Sequence, residues 1–118
     1  MSPEEAADAY IAAWNAPEAA KVHELTSSCF TSDAAVVGVN ETLSGPAEIA
    51  AWIMARQPGI RLNKRISAVD AHHGWLRFDW EFETISGEIG NGTDVGRQAV
   101  GGELDLLIAF APLNLDRL

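Results

Sequence analysis

The sequence predicts an α+β domain in which helices gather at the front and an antiparallel β-meander follows. Three observations carry that prediction. Residues 75–83, Trp-Leu-Arg-Phe-Asp-Trp-Glu-Phe-Glu, alternate without a fault. Leu76, Phe78, Trp80 and Phe82 point one way and Arg77, Asp79, Glu81 and Glu83 the other, the period-two signature of a strand. Near the N-terminus the apolar spacing is helical instead, with Ala7, Tyr10, Ile11 and Trp14 at i, i+3, i+4 and i+7. Late in the chain, Gly101-Gly102 separates two strand-like runs, as a tight hairpin turn requires.

The elements follow in order. Ser2-Pro3-Glu4-Glu5 reads as a helix start, with Ser2 as cap, Pro3 in the first turn and Glu5 closing a capping box. That helix runs to about Trp14. Asn15–Glu18 breaks it and a second helix restarts, carrying Val22, Leu25 and Cys29 inward and ending near Phe30. Ala34–Val39 reads as a short apolar strand, and Asn40–Leu43 as a turn or the return arm of a hairpin. Gly45-Pro46 opens a third helix with Ile49, Trp52 and Ile53 on its apolar side, and Pro58-Gly59 stops it. Arg61–His72 is expected as one long strand, with His73-Gly74 as the turn into the strand from Trp75 to Ile85. Ser86–Gly92 is expected as a glycine-rich connection, Thr93–Val100 and Leu104–Phe110 as the last two strands, and Pro112 as the close. The order is α-α-β-α-β-β-β-β, without repeats or linkers, in one domain spanning residues 1–118. Small domains of this shape curl the sheet around a helix and leave a cavity at the open end.

Composition narrows the function. With 118 residues the chain can bury about two thirds of its unfolded surface, enough for a core. Its net charge of −9 argues against nucleic acid, which demands Lys and Arg to displace counterions, and against anionic membrane surfaces. No apolar run approaches the roughly 20 residues that span a bilayer. The acidic start, Met-Ser-Pro-Glu-Glu, has no signal-peptide pattern, and Cys29 is the single cysteine, so the expected compartment is the cytoplasm.

Several phrases, in this order and spacing, resemble the SnoaL-like (polyketide cyclase-like) branch of the nuclear transport factor 2-like superfamily. They are Tyr10–Ala16, Thr31–Val37, Ser44–Trp52, Leu76–Trp80 and Gly92-Thr-Asp-Val95 ahead of the Gly-Gly hairpin. The resemblance implies a cone-shaped, cystatin-like architecture: a curved antiparallel sheet wrapped around N-terminal helices. It implies no single reaction, because the superfamily hosts many activities and plain binders. In the steroid isomerase branch a first-strand Asp is the general base, and Gly38 stands there. The Tyr and the protonated Asp that hold an enolate oxygen in that branch correspond to Tyr10 and Asp94. The final-strand Asp of the polyketide cyclases falls at Ala109. The epoxide hydrolase branch pairs Arg-x-Asp with a final-strand Asp. Arg77-Phe78-Asp79 matches the first, and the second falls at Ile108 or Ala109.

The residues themselves leave two alternatives at each site. Tyr10 and Asp94 are either two donors to one ligand oxygen in an apolar cavity or a core aromatic and a bend cap. Arg77 and Asp79 share one face of a strand. They are either a cavity pair, with Arg77 holding Asp79 ionised as a base, or part of a solvated charged row continued by Glu81 and Glu83. Under the cavity reading, a second subunit would cover Leu76, Phe78, Trp80 and Phe82. Trp14 and Trp52 are core or pocket wall. His72 and His73, near Asp70 in sequence, point to opposite faces and read as a turn pair rather than metal ligands; His23 adds nothing to them. Asp33 reads as a turn cap, Cys29 as a core residue, and Gly87, Gly90 and Gly92 as turn glycines.

The expectation is therefore a cytoplasmic protein, homodimeric through its sheet, binding a small apolar or aromatic molecule with no metal or cofactor. Tyr10, Trp14, Trp52 and Asp94 would bind the substrate. Any chemistry would be acid/base work of the isomerase, cyclase or hydratase/hydrolase type, with Asp79 as base, Arg77 beside it, and Tyr10 and Asp94 as oxyanion donors. Carboxylates of Asp79 and Asp94 on opposite faces of the sheet would remove that mechanism. The alternative is a non-catalytic ligand-binding or protein-interaction module of the same fold, motivated by the missing bases at Gly38 and Ala109.

Overall fold

The computed structural model describes residues 1–111, and the expected close at Pro112 lies outside them. Helix α1 (Pro3–Asn15) begins with the expected capping box. The Glu5 amide donates to Ser2 Oγ at 3.1 Å, and the Ser2 amide to Glu5 Oε1 at 2.8 Å. Helix α2 (Ala19–Cys29) turns Val22, Thr26 and Cys29 fully inward. Strand β1 (Phe30–Val37) returns through β2 (Thr42–Ser44) into helix α3 (Gly45–Arg56), which ends in a 3-10 turn at Gln57–Gly59. Strands β3 (Ile60–Arg65), β4 (Asp70–His72), β5 (Trp75–Thr84), β6 (Ile89–Gln98) and β7 (Leu104–Phe110) complete the chain.

The sheet runs β2-β1-β7-β6-β5-β3, with β4 paired to β5 beside β3. It curves around the three helices, as the α+β expectation requires. One pair departs from that expectation. β7 lies parallel to β1, so the sheet is mixed. The meander of β3 to β7 brings the last strand back beside the first, and that closure fixes its direction.

Two boundaries also differ from those expected. The long strand over 61–72 is two strands. Residues 66–69 leave the ladder, tethered where the Ile66 amide meets the Asp79 carbonyl at 2.9 Å and the Asp79 amide meets Ser67 Oγ at 2.8 Å. Val69 uses the excursion to pack against the core. Strand β6 begins at Ile89 and so takes in Gly90 and Gly92, which are strand residues rather than turn residues. Of the three, Gly87 is the turn glycine, at φ +88°. Asp33 likewise lies within β1, where it accepts from Thr31 Oγ1 at 2.9 Å.

The core lies between helices and sheet. The alternation of β5 sends Leu76, Phe78 and Trp80 into it and leaves Arg77 and Asp79 exposed. Among the described residues no helix is long and apolar enough to cross a membrane.

Candidate functional site

The site grows from the register of β5 against β6. Leu76, Phe78, Trp80 and Phe82 stand opposite Gly96, Asp94, Gly92 and Gly90. Three glycines and one carboxyl thus face four large apolar side chains. Gly92 is required where it stands: a Cβ there would lie within 2.5 Å of the Trp80 ring and would also strike the Phe110 carbonyl. The bare stretch of β6 lets the Trp80 indole lie across it and reach Asp94. Trp80 Nε1 donates to Asp94 Oδ1 at 2.8 Å.

Beyond Trp80 the core opens into a cavity of about 550 Å³ between the concave sheet, α1 and α3. Tyr10, Trp14, Trp52, Trp80, Phe82 and Asp94 all contribute to its wall. The aromatic rings brace one another. Tyr10 meets Trp14 edge-on at 6.4 Å, Trp14 meets Trp52 at 5.1 Å, and Trp80 stacks on Phe82 at 5.8 Å with 19° between planes. Such walls favour a flat apolar ligand.

Asp94 is the buried charge-bearing group of this wall, 2% exposed. Loss of water raises its pKa from 3.8 to about 7, against a smaller opposing effect of the Trp80 hydrogen bond. Its second oxygen makes no hydrogen bond among the described residues, and the residue lines the cavity. Burial likewise pushes the Tyr10 phenol well above 10, and the nearby Asp94 carboxyl adds to the effect. Near neutral pH the cavity therefore holds a phenol O–H and a carboxyl with a proton to share. Both are donors, and in a dry site donors aimed at one oxygen act strongly on it.

Two further groups approach the cavity. Asn63 on β3 is clipped to α1 through its backbone: its amide donates to Asn15 Oδ1 at 2.8 Å, and its carbonyl accepts from Asn15 Nδ2 at 2.7 Å. Its own Oδ1 is buried without a partner among the described residues. Glu41, on the β1–β2 connection, reaches the mouth of the cavity and accepts from Trp52 Nε1 at 2.6 Å and from the Arg56 guanidinium.

The expected pairing of Arg77 and Asp79 with this cavity is not realised. Phe78 stands opposite Asp94, and Asp79 stands opposite Thr93, so the two carboxylates occupy opposite faces of the sheet. On the outer face Asp79 Oδ1 accepts from Thr93 Oγ1 at 2.6 Å, and Arg77 Nε meets Asp70 at 3.3 Å. Glu81 and Glu83 continue that row in ion pairs with Lys64 and Arg61. The physical reason is burial: the helices cover the aromatic row because it is the apolar one. By the same token the helices, rather than a second subunit, cover Leu76, Phe78, Trp80 and Phe82.

Gly38 and Ala109 both line the cavity and bring no ionisable group, Ala109 standing opposite Asp94 in the ladder. His72 and His73 lie exposed at the β4–β5 turn with their Nδ1 atoms 3.0 Å apart. No cluster of three or more His, Cys, Asp or Glu suited to a metal occurs among the described residues. Cys29 is buried, its thiol pushed up to about 12 by desolvation.

No protein-family profile and no curated sequence matches the chain. Solved structures do. The chain is similar to a SnoaL-like family protein from Agrobacterium tumefaciens assigned as an isomerase: 29% identity, TM-score 0.81, covering 91% of this chain and 94% of that one. The chain has the SnoaL-like form of the nuclear transport factor 2-like fold. The same fold recurs at 14% identity in a nuclear transport factor 2-like protein of unknown function from Exiguobacterium, with TM-score 0.71 over 92% of this chain and 98% of that one. It recurs, also at 14% identity, in an epoxide hydrolase/cyclase-like enzyme of pyran ring formation in the polyether salinomycin, with TM-score 0.73 over 95% and 92% of the two chains.

Sequence reasoning missed Trp80, Phe82, Asn63, Glu41 and Arg56 as cavity residues. The first two had a signal: Gly90, Gly92, Asp94 and Gly96 alternate on β6, and only large side chains on the neighbouring strand would fill the space they leave. The other three had none, since their places depend on how α1, α3 and the β1–β2 connection meet.

Proposed function

We propose that the cavity binds a small, flat, largely apolar molecule through one carbonyl or enol oxygen, and that Tyr10 and Asp94 donate to that oxygen. The presence of both donors in one aromatic-walled cavity carries this reading. Polarising a carbonyl in this way is the first half of acid/base chemistry of the isomerase or cyclase type. The similarity to a structure assigned as an isomerase supports it.

The test is binding of 2-naphthol, which mimics an enol, followed through the fluorescence of Trp14, Trp52 and Trp80. Tyr10→Phe should weaken binding about tenfold, the worth of one hydrogen bond of roughly 1.4 kcal/mol. Affinity should fall as pH rises past about 7, where Asp94 loses its proton, and Asp94→Asn should abolish that dependence. Unchanged affinity in Tyr10→Phe together with a flat pH profile would reject the donor pair.

A non-catalytic binding module is the second reading, and the empty positions Gly38 and Ala109 favour it. Either protein is proposed to work in the cytoplasm as a homodimer through the outer face of the sheet. Val37, Val95, Ile108 and Phe110 form an apolar area there, adjoining the charged row of β5; Phe110 is 56% exposed. Ile108→Glu should halve the mass measured by light scattering; a wild-type monomer would refute the dimer.

A further inference from the structure

The cavity wall carries a second carboxyl side chain besides Asp94. Asp94 and Glu41 are the two carboxyl side chains on its described wall, and their surroundings are opposite in kind. Asp94 sits on the dry floor among aromatic rings. Glu41 sits at the mouth beside a guanidinium. Paired carboxyls in such contrasting environments divide acid and base roles between them.

Glu41 is held rather than loose. Its Oε1 takes the Trp52 indole N–H and the Arg56 guanidinium. Those two side chains lie i, i+4 on one face of α3, and Arg56 also stacks over the Trp52 ring at 5.0 Å. The Glu41 carbonyl accepts from the Gly38 amide at 2.7 Å, which closes the loop under it. Its Oε2 takes a single donor, the Asn40 amide at 3.1 Å, and keeps a lone pair. Gly38 stands next to that oxygen. A Cβ at Gly38 would lie 3.4 Å from Oε2 and 3.5 Å from the Trp52 ring.

We propose that Glu41 is the general base of this cavity, and that its Oε2 takes a proton from the carbon next to a ligand carbonyl whose oxygen is held by Tyr10 and Asp94. The proposal rests on the donor reading above and names the substrate class as small, flat, enolisable ketones. The step balances without an oxidant. The C–H bond breaks, its electron pair becomes the C=C of an enol, and the carbonyl π pair moves to oxygen, which takes the Asp94 proton. Glu41 then returns its proton to carbon, at the same atom or at the far end of a conjugated system, and the enol proton goes back to Asp94. Trp52 and Arg56 are positioning residues for Glu41.

The experiment uses 2-tetralone, an aromatic ketone with acidic C1 protons, in deuterium oxide. Exchange of those protons is followed by proton NMR, with 2-naphthol binding measured in parallel. The wild type should accelerate exchange, and Glu41→Gln should lose at least a hundredfold of that acceleration. Its 2-naphthol affinity should stay within about threefold of the wild type, because the oxygen-binding groups are intact. Glu41→Asp, which keeps the charge but shortens its reach, should fall between them. Exchange in Glu41→Gln at the wild-type rate would overturn the proposal, as would a wild type that binds 2-naphthol and does not accelerate exchange. In both cases the donor reading survives. Failure of the wild type to bind 2-naphthol would instead remove the donor reading, and this proposal with it.

Discussion

The two faces of strand β5 carry the same number of conspicuous side chains and do opposite work. The outer row, Arg77, Asp79, Glu81 and Glu83, is hydrogen-bonded or ion-paired on the open face of the sheet. The inner row, Leu76, Phe78, Trp80 and Phe82, is apolar and faces Asp94 on β6, a carboxyl whose pKa burial raises to about 7. Charge density is therefore a poor guide to where chemistry happens. Exposed ion pairs contribute about 0–1 kcal/mol. A lone carboxyl set among aromatic rings is changed by them, because desolvation acts on it with nothing of opposite charge to compensate.

Replacing Asp94 should give the largest effect and sharpen that contrast most. Moving a carboxyl from 3.8 to about 7 corresponds to on the order of 4 kcal/mol. The folded-state pKa is raised, so the associated stability is fully present below about pH 4 and is lost as pH rises through about 7. Asp94→Asn carries no such dependence. Its stability relative to the wild type should therefore climb by roughly that amount from pH 4 to 8 and then level off, as measured by denaturant unfolding across pH. A gap between the two proteins that does not change with pH would show that Asp94 is not desolvated.

Next in size is Gly92→Ala. The new methyl would meet the Trp80 ring and the Phe110 carbonyl at once, and overpacking of this kind costs about 1–3 kcal/mol. Trp80 should also be pushed off Asp94, giving a shift in the tryptophan emission maximum together with the lower Tm. The smallest effect belongs to the outer row. Arg77→Ala and Asp79→Asn should each change stability by no more than about 0.5 kcal/mol and leave 2-naphthol affinity unaltered. A large loss of binding in either would break the comparison and return those residues to the site.

Much of this was legible in the chain. The Ser2–Glu5 capping box, the inward stripe of α1 and the alternation of residues 75–83 are local patterns, and local physics decides them. The placement of Tyr10, Trp14, Trp52 and Asp94 on one wall was not decided that way: the residues read equally as core aromatics and a bend cap, and it was the family resemblance that singled out Tyr10 and Asp94. What alternation leaves undecided is which side of a strand meets the helices. A period-two row reads the same from both sides, and Arg-x-Asp in that row draws the eye toward the wrong one. The deciding clue is on the partner strand, where glycines at alternate positions make room for indole and phenyl rings. Glu41 lay beyond reach for another reason. It sits on a connection, and its role follows from three contacts made by segments distant in sequence.

The parallel pairing of β1 with β7 has a kinetic meaning. β7 stands between β1 and β6, so the β2-β1 hairpin and the β6-β5-β3 array have no shared edge until residues 104–110 are in place. The pairing that unites the two halves is also the one with the greatest separation along the chain, and such closures are slow. The β6-β7 hairpin sets Ala109 beside Asp94 by itself, and the pairing of β7 with β1 then joins it to the half of the sheet that packs against α3. The cavity takes its walls from both halves, Trp52 and Arg56 from one and Trp80 and Asp94 from the other, so it is complete only once that long-range pairing has formed.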